Sequence, residues 1–85
     1  MKEFKYIITD PEGMHARPAT LFVKEASKYP CSILLHKEGR EVDAKRMFAV
    51  MSLGIKQGQE VVIRCEGEQE EAAAEAMNAF MREHL

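Results

Sequence analysis

The sequence predicts an α+β fold: one antiparallel sheet of four short strands with three helices on one face, in the order β-α-β-β-α-β-α. Three observations carry this. In four short stretches alternate residues are apolar, the period-2 pattern of half-buried strands. In two longer stretches apolar residues recur at helical spacing and form one stripe. Turn-forming residues at Asp10-Pro11-Glu12-Gly13, Tyr29-Pro30, Lys37-Glu38-Gly39, Gly54, Gly58 and Gly67 cut the chain into elements joined by short connections. Each amphipathic helix needs an apolar partner, and a sheet covered on one side supplies it.

The elements follow in order. Phe4, Tyr6 and Ile8 alternate with Lys5, Ile7 and Thr9, giving a first strand. Ala19, Phe22, Val23 and Ala26 give the first helix its core-facing stripe, and Pro18 sits in the first turn, where a missing N–H is tolerated. Cys31, Ile33 and Leu35 form the inward phase of a second strand. A hairpin-length turn at Lys37-Glu38-Gly39 leads into a third strand from Arg40 to Ala44, with Val42 and Ala44 on one face. Arg46 to Leu53 reads as two turns of helix ended by Gly54. Val61, Ile63 and Cys65 form the inward phase of a fourth strand. From Gln69 onward, Ala73, Ala76, Met77 and Phe80 keep helical spacing, with Glu68, Glu70 and Glu71 at the positive end of the helix and Arg82 near its negative end. Lys5, Thr9, Ser32, His36, Glu60 and Arg64 predict that the uncovered sheet face is polar and wet.

An 85-residue chain is one small domain spanning 1–85, near the size at which a single core only just suffices. Apolar residues at 46% and charged residues at 31% exclude disorder by composition. A net charge of −2 argues against a duplex nucleic-acid binder, which needs a basic excess. No run of 18 apolar residues marks a membrane span, and Met1 to Lys5 lacks the apolar segment of a secretion signal, so the expected location is the cytoplasm. Cys31 and Cys65 are too few for a disulfide scaffold. Both fall in the inward phase of strands, on a common core, where reduced, inert thiols are expected.

Gly13-Met14-His15-Ala16-Arg17-Pro18-Ala19-Thr20 is the most informative stretch. A glycine-bearing loop delivers His15 to the start of a helix. There the N–H groups of Ala16, Arg17 and Ala19 are expected to lack intrahelical partners and, with the helix dipole, to form an anion site. Arg17 adds a planar fork that matches a phosphoryl group. A neutral imidazole is a good nucleophile near pH 7, so these groups can accept, hold and pass on a phosphoryl group. The alternative is a surface histidine beside a solvated arginine. A second stretch, Met47-Phe48-Ala49-Val50-Met51-Ser52-Leu53, is too apolar for a two-turn helix to bury on one side. Val50 and Leu53 share a face, so Met47, Phe48 and Met51 are candidates for an exposed docking patch, or for the edges of a core helix. His36 and His84 stand alone, and no metal-ligand spacing, nucleotide loop or hydrolase constellation is evident.

Over its whole length the chain closely resembles the HPr family, the histidine-containing phosphocarriers of the bacterial sugar phosphotransferase system. Gly13-Met14-His15-Ala16-Arg17-Pro18-Ala19 resembles that family's phosphorylation-site motif. Val50-Met51-Ser52-Leu53-Gly54-Ile55 resembles its second signature, in the form common in Gram-positive bacteria. The resemblance implies an open-faced β-sandwich with strand order 1-4-2-3. It implies that His15 accepts a phosphoryl group on Nδ1 from phosphorylated enzyme I, charged by phosphoenolpyruvate, and passes it to the IIA units of sugar permeases. Arg17 would stabilise the group, with the backbone of Ala16 and Arg17 binding it. Thr20, Lys24, Met47, Phe48 and Met51 would lie at or near the shared partner surface. Such a protein is a carrier rather than a self-sufficient enzyme, needs no cofactor or metal, and acts as a cytoplasmic monomer. Gram-positive members usually carry a regulatory serine just before the short helix, the target of an ATP-dependent kinase in carbon catabolite repression. Here that position is Arg46, and Met47, Phe48 and Ala49 also depart from the commonest wording. A rival reading is a regulatory module that docks through Met47, Phe48 and Met51 without being phosphorylated. Docking alone needs neither His15 nor Arg17.

Overall fold

The alternating stretches pair into one sheet and the periodic stretches lie across it. The computed structural model describes residues 1–85. Its elements are β1 (Lys2–Ile7), α1 (Ala16–Ala26), β2 (Ser32–Lys37), β3 (Arg40–Asp43), α2 (Met47–Ser52), β4 (Glu60–Glu66) and α3 (Glu70–His84). The sheet is antiparallel in the order β1-β4-β2-β3, as expected for an open-faced sandwich. Ile63 lies at its centre, opposite Phe4 on one side and Leu35 on the other. The inward phase of each strand is the predicted one. Ile8, Ile33, Leu35, Val61 and Ile63 are buried against Ala19 and Phe22 of α1, Val50 of α2 and Ala73, Met77 and Met81 of α3. Phe22 meets Phe80 edge-on, with ring centroids 5.8 Å apart, which locks α1 to α3.

Cys65 pairs in register with Ile33, so Cys31 is its diagonal neighbour on the covered face of adjacent strands. Both are buried free thiols. Burial, reinforced by Cys31, pushes the Cys65 thiol up to about 11. It stays protonated near neutral pH and is inert as a nucleophile.

The structure corrects several expectations. The short helix runs from Met47 to Ser52, two residues shorter than expected, with Arg46 as its N-cap and Leu53 as its C-cap. Arg46 makes no side-chain capping bond, because a guanidinium offers no acceptor to free N–H groups. The third helix begins at Glu70, after Gln69 in the left-handed conformation at φ 64°. Glu70 reaches back to accept the Gly67 N–H at 2.9 Å and pairs with the Met1 ammonium at 2.6 Å. The hydrogen bond from that ammonium, with the Gly67 amide, holds the Glu70 carboxyl below its usual range. Ala76 is only half-buried, and Met81 takes the core position next along the stripe. The uncovered sheet face is less polar than expected. Leu34 and Val62 are half-buried in its middle, beside Arg64, which bridges Glu3 at 3.0 Å and Glu41 at 3.3 Å. Lys45, next to Arg46 in sequence, is turned inward: its ammonium donates to the carbonyls of Tyr29 and Cys31 at 2.6 and 2.7 Å.

Two contacts fix the loop between β1 and α1. Gly13, at φ 65°, lies against the backbone of Ile55 and Lys56. A methyl group there would overlap the Ile55 carbonyl oxygen and come within 2.8 Å of Lys56 Cα. The next residue, Met14, is buried and donates its N–H to that same Ile55 oxygen at 3.0 Å. At the other end of the loop the Leu85 carbonyl oxygen accepts the N–H groups of Thr9 and Asp10 at 2.6 and 2.9 Å, and the Thr9 hydroxyl at 2.9 Å. The end of α3 is thereby strapped to the start of the loop.

Gly13→Ala adds both a left-handed penalty and a backbone clash, and should cost about 2 kcal/mol or more. For a domain of this size that lowers the melting temperature by about 10 °C. Gly39 is also left-handed, at φ 82°, but has open space around it, so Gly39→Ala should cost clearly less. Thermal melts of both variants test this. Equal losses would show that the contact with Ile55 does not constrain the loop.

Candidate functional site

The loop so fixed ends at His15, the N-cap of α1. Most N-caps are serine, threonine, aspartate or asparagine, whose side chains accept a bond from the first-turn amides. His15 has the required extended backbone, at φ −83° and ψ −176°, but makes no capping bond. The first intrahelical bond runs from Ala19 N–H to His15 O, at 3.0 Å. This corrects the sequence expectation, since the Ala19 amide is spent in the helix. Pro18 has no N–H, so the free donors of the first turn are those of Ala16 and Arg17. No acidic side chain occupies this turn. Those two N–H groups and the dipole of an 11-residue helix face outward beside the imidazole.

The His15 side chain is 37% exposed, so a reaction partner can reach it. Its Nε2 lies 3.8 Å from a carboxylate oxygen of Glu12, three residues back in the loop. That is too long for a hydrogen bond, but it sets Nε2 beside negative charge. Arg17 is exposed and forms no ion pair within the protein. Both residues line an open hollow of about 220 Å³, with Asp10, Pro18, Leu21 and His84 completing its wall. The hollow is of a size to admit a phosphoryl-sized anion, with an imidazole and a guanidinium in its wall beside the first turn of α1.

Three neighbours of His15 are not evident from the sequence. Asp10 and Glu12 bring carboxylates to within 4.8 Å of a His15 nitrogen, although no metal-type spacing is evident in the sequence. The bend at Pro11 folds them together, and Asp10 holds it by accepting the Glu12 N–H at 2.8 Å. His84 reads as isolated in the sequence, yet the strap at Leu85 delivers it to the His15 hollow. No local spacing could have shown this.

The expected docking residues divide. Thr20 is exposed, but its hydroxyl is already bonded to the Ala16 carbonyl at 2.9 Å, so it offers a surface rather than a free donor. Lys24 is exposed along the same helix. Phe48 is 91% exposed, an unusual state for its ring. Met47 and Met51 are half-buried against the core, so of the two readings left open for them their packing is that of the edges of a core helix. The six-residue α2 is in contact with α1, and Phe48 is its one large apolar side chain left exposed. The end of α2 runs directly into Ile55, which holds Met14, so this surface and His15 are joined through one short piece of backbone.

With that geometry in place, the comparisons are informative. The family model described as "PTS HPr component phosphorylation site" matches residues 2–83. The chain is 42% identical over 76 residues to the phosphocarrier protein HPr of Buchnera aphidicola, covering 89% of each chain. It is 40% identical over 73 residues to the HPr-like protein Crh of Bacillus subtilis, covering 86% of each. Its fold matches the crystal structure of HPr-C-His from Thermoanaerobacter tengcongensis with a TM-score of 0.93 and 41% identity, over 96% of this chain and 92% of that one. A crystal structure of an HPr dimer from the same organism matches at 0.78 and 41%, over 98% and 95%. The match covers nearly every residue, both structural and around His15, and the chain belongs to the HPr family of phosphocarrier proteins of the phosphotransferase system.

Proposed function

We propose that the chain, acting as one domain over 1–85, accepts a phosphoryl group on His15 Nδ1 from phosphorylated enzyme I and hands it to IIA units of sugar permeases. The single observation that supports this most is an exposed imidazole at a helix N-cap that leaves the Ala16 and Arg17 amides free. In the transfer the N–P bond of the donor breaks and its electron pair returns to the donor nitrogen. The Nδ1 lone pair of His15 forms the new N–P bond, and the proton on Nε2 stays beside Glu12. The chain therefore supplies half of a reaction, through position and fixed dipoles, and the partner supplies the rest. Arg17 and the two amides neutralise the arriving oxygens. Phe48 is the apolar anchor of the partner surface, with Lys24 and Thr20 along α1 and the edges of Met47 and Met51 beside it. The working location is the cytoplasm, where the phosphoenolpyruvate-fed donor acts, and no helix is long and apolar enough to cross a membrane. The carrier acts as a monomer, so that both surfaces stay open to partners.

Arg46 stands where Gram-positive relatives of this type carry a regulatory serine, so we read this chain as a carrier without that switch. The nearest hydroxyl on α2 is a poor substitute. Ser52 donates to the Ala49 carbonyl at 2.6 Å and receives Arg40 at 3.2 Å, and it lies at the carbonyl end of the helix, where a phosphate meets like partial charge. With Lys45 turned inward, Arg46 alone carries the positive charge at this end of α2.

Incubation with enzyme I and phosphoenolpyruvate should add one phosphoryl mass, lost in acid and stable in alkali. His15→Ala should abolish the gain while keeping its melt, since the side chain packs little. A variant that still gains the mass would remove His15 from the role. Arg17→Ala should slow transfer about tenfold to a hundredfold, the worth of one charge-assisted hydrogen bond, and Arg17→Lys by less, because lysine keeps the charge and loses the fork. Rapid-quench rates equal to wild type for both would exclude Arg17. Incubation with the ATP-dependent kinase should leave the mass of the wild-type chain unchanged, whereas Arg46→Ser should gain one phosphate. Phosphate on the unaltered chain would show that another hydroxyl serves.

A further inference from the structure

His84 is the titratable group that the fold moves furthest from its sequence context. It sits in the last turn of α3, and the next residue is strapped to Thr9 and Asp10, at the head of the loop that carries His15. Its ring borders two hollows. One, of about 220 Å³, is shared with His15 and Arg17. The other, of about 230 Å³, opens toward Lys24 and Lys28. Resting on the carrier reading above, we propose that His84 is a second, proton-dependent partner of the phosphoryl group: phosphorylation of His15 draws a proton from solvent onto His84, and the imidazolium holds the phosphorylated state.

The surroundings are divided in a way that makes the proton conditional. On its own helix, His84 Nε2 lies 3.8 Å from Glu83, its ring is tilted over Phe80 with centroids 4.5 Å apart, and it stands at the carbonyl end of the dipole. All three favour the imidazolium. From the loop, Asp10 faces the shared hollow and acts in the same direction. From α1, Arg17, Lys24 and Lys28 oppose it, and Glu25 offsets Lys28, with which it pairs at 3.1 Å. A phosphoryl group on His15 brings about two negative charges into the hollow. That tips the balance toward the imidazolium. No bond at phosphorus changes in this step, and the proton comes from water.

Linkage fixes the sign. A group that gains proton affinity on phosphorylation stabilises the phosphorylated state at low pH, and the contribution is lost as pH rises through its new midpoint. The transfer equilibrium from enzyme I should therefore favour the carrier more at pH 6 than at pH 8.5, by an amount that depends on residue 84.

The test follows the His84 ring by NMR through a pH titration, before and after phosphorylation with enzyme I and phosphoenolpyruvate. The midpoint should move upward by about half a unit, as for a partly exposed imidazole gaining an anionic neighbour, while His36 on the uncovered sheet face stays in place. His84→Gln should shift the transfer equilibrium back toward enzyme I roughly two- to fivefold at pH 6 and leave it unchanged at pH 8.5, the scale of a partly exposed ion pair. His84→Lys should restore the wild-type equilibrium at pH 6 and hold it at pH 8.5. A packing role would move both pH values together. No mass gain at all would overturn the carrier reading and this inference with it. A mass gain with an unmoved His84 midpoint, or with His84→Gln matching wild type at both pH values, would overturn this inference alone.

Discussion

The structure depends on one close approach, that of Gly13 and Met14 to the backbone of Ile55. The loop before α1 has only short-range turn bonds of its own, such as Gly13 N–H to the Asp10 carbonyl at 2.9 Å, and these do not place it against the rest of the fold. Gly13 has no side chain to keep it off Ile55, and its positive φ turns the chain so that Met14 can bond the same carbonyl. Met14 then anchors in the core, and His15 follows at a fixed place. Ile55 is itself set by the turn at Gly54 that ends α2. The first and second signatures of the sequence are thus two sides of a single contact. That is why a motif around His15 and another more than thirty residues later belong to one site.

The same region gives up local stability for exposure. A serine or aspartate at the N-cap in place of His15 would satisfy a first-turn amide and stabilise α1 by about 1 kcal/mol. Histidine leaves Ala16 and Arg17 with bare N–H groups, and Pro18 has no N–H to leave unpaired. The cost is absorbed by burial elsewhere on the helix, where Pro18, Ala19, Phe22 and Ala26 are all inside. Phe48 makes a similar concession, since a 91% exposed ring gains nothing from folding. These departures from a stability optimum gather around His15 and α2, where the proposed function needs them.

What the sequence made legible follows from range. Strand phase and helical stripe are local, so the inward residues from Ile8 to Met77 could be read directly, and so could the loop that presents His15. Strand order is not local. Nothing in the alternation of Val61, Ile63 and Cys65 says that β4 lies between β1 and β2, and that order came from family resemblance. Hydrogen bonding inside the first turn was misjudged at Ala19, because an N–H four residues past the N-cap already has its partner. For Met47 and Met51 the apolar run leaves an exposed patch and the edge of a core helix both open, and only the packing of the six-residue α2 on the core decides for the edge. His84 was invisible for the opposite reason. Its place depends on a strap between Leu85 and the start of the loop after β1, and its local sequence, Arg82-Glu83-His84-Leu85, reads as an ordinary helix end.

The charges around His15 also fit what a carrier, as opposed to a receptor, requires. A receptor for phosphate gains by collecting every available donor and burying the anion. A group that must arrive from one protein and leave for another cannot be held much more tightly than either partner holds it, because each 1.4 kcal/mol of excess hold slows departure about tenfold. Here the donors, Arg17 and two amides, are set against carboxylates of Asp10 and Glu12 that lie within 4.8 Å of His15. The hollow is open, so water screens both sets. Attraction by the helix end and repulsion by the loop act on the same few ångströms. In the proposed transfer, the loop that fixes His15 in place would also limit how strongly His15 keeps the group.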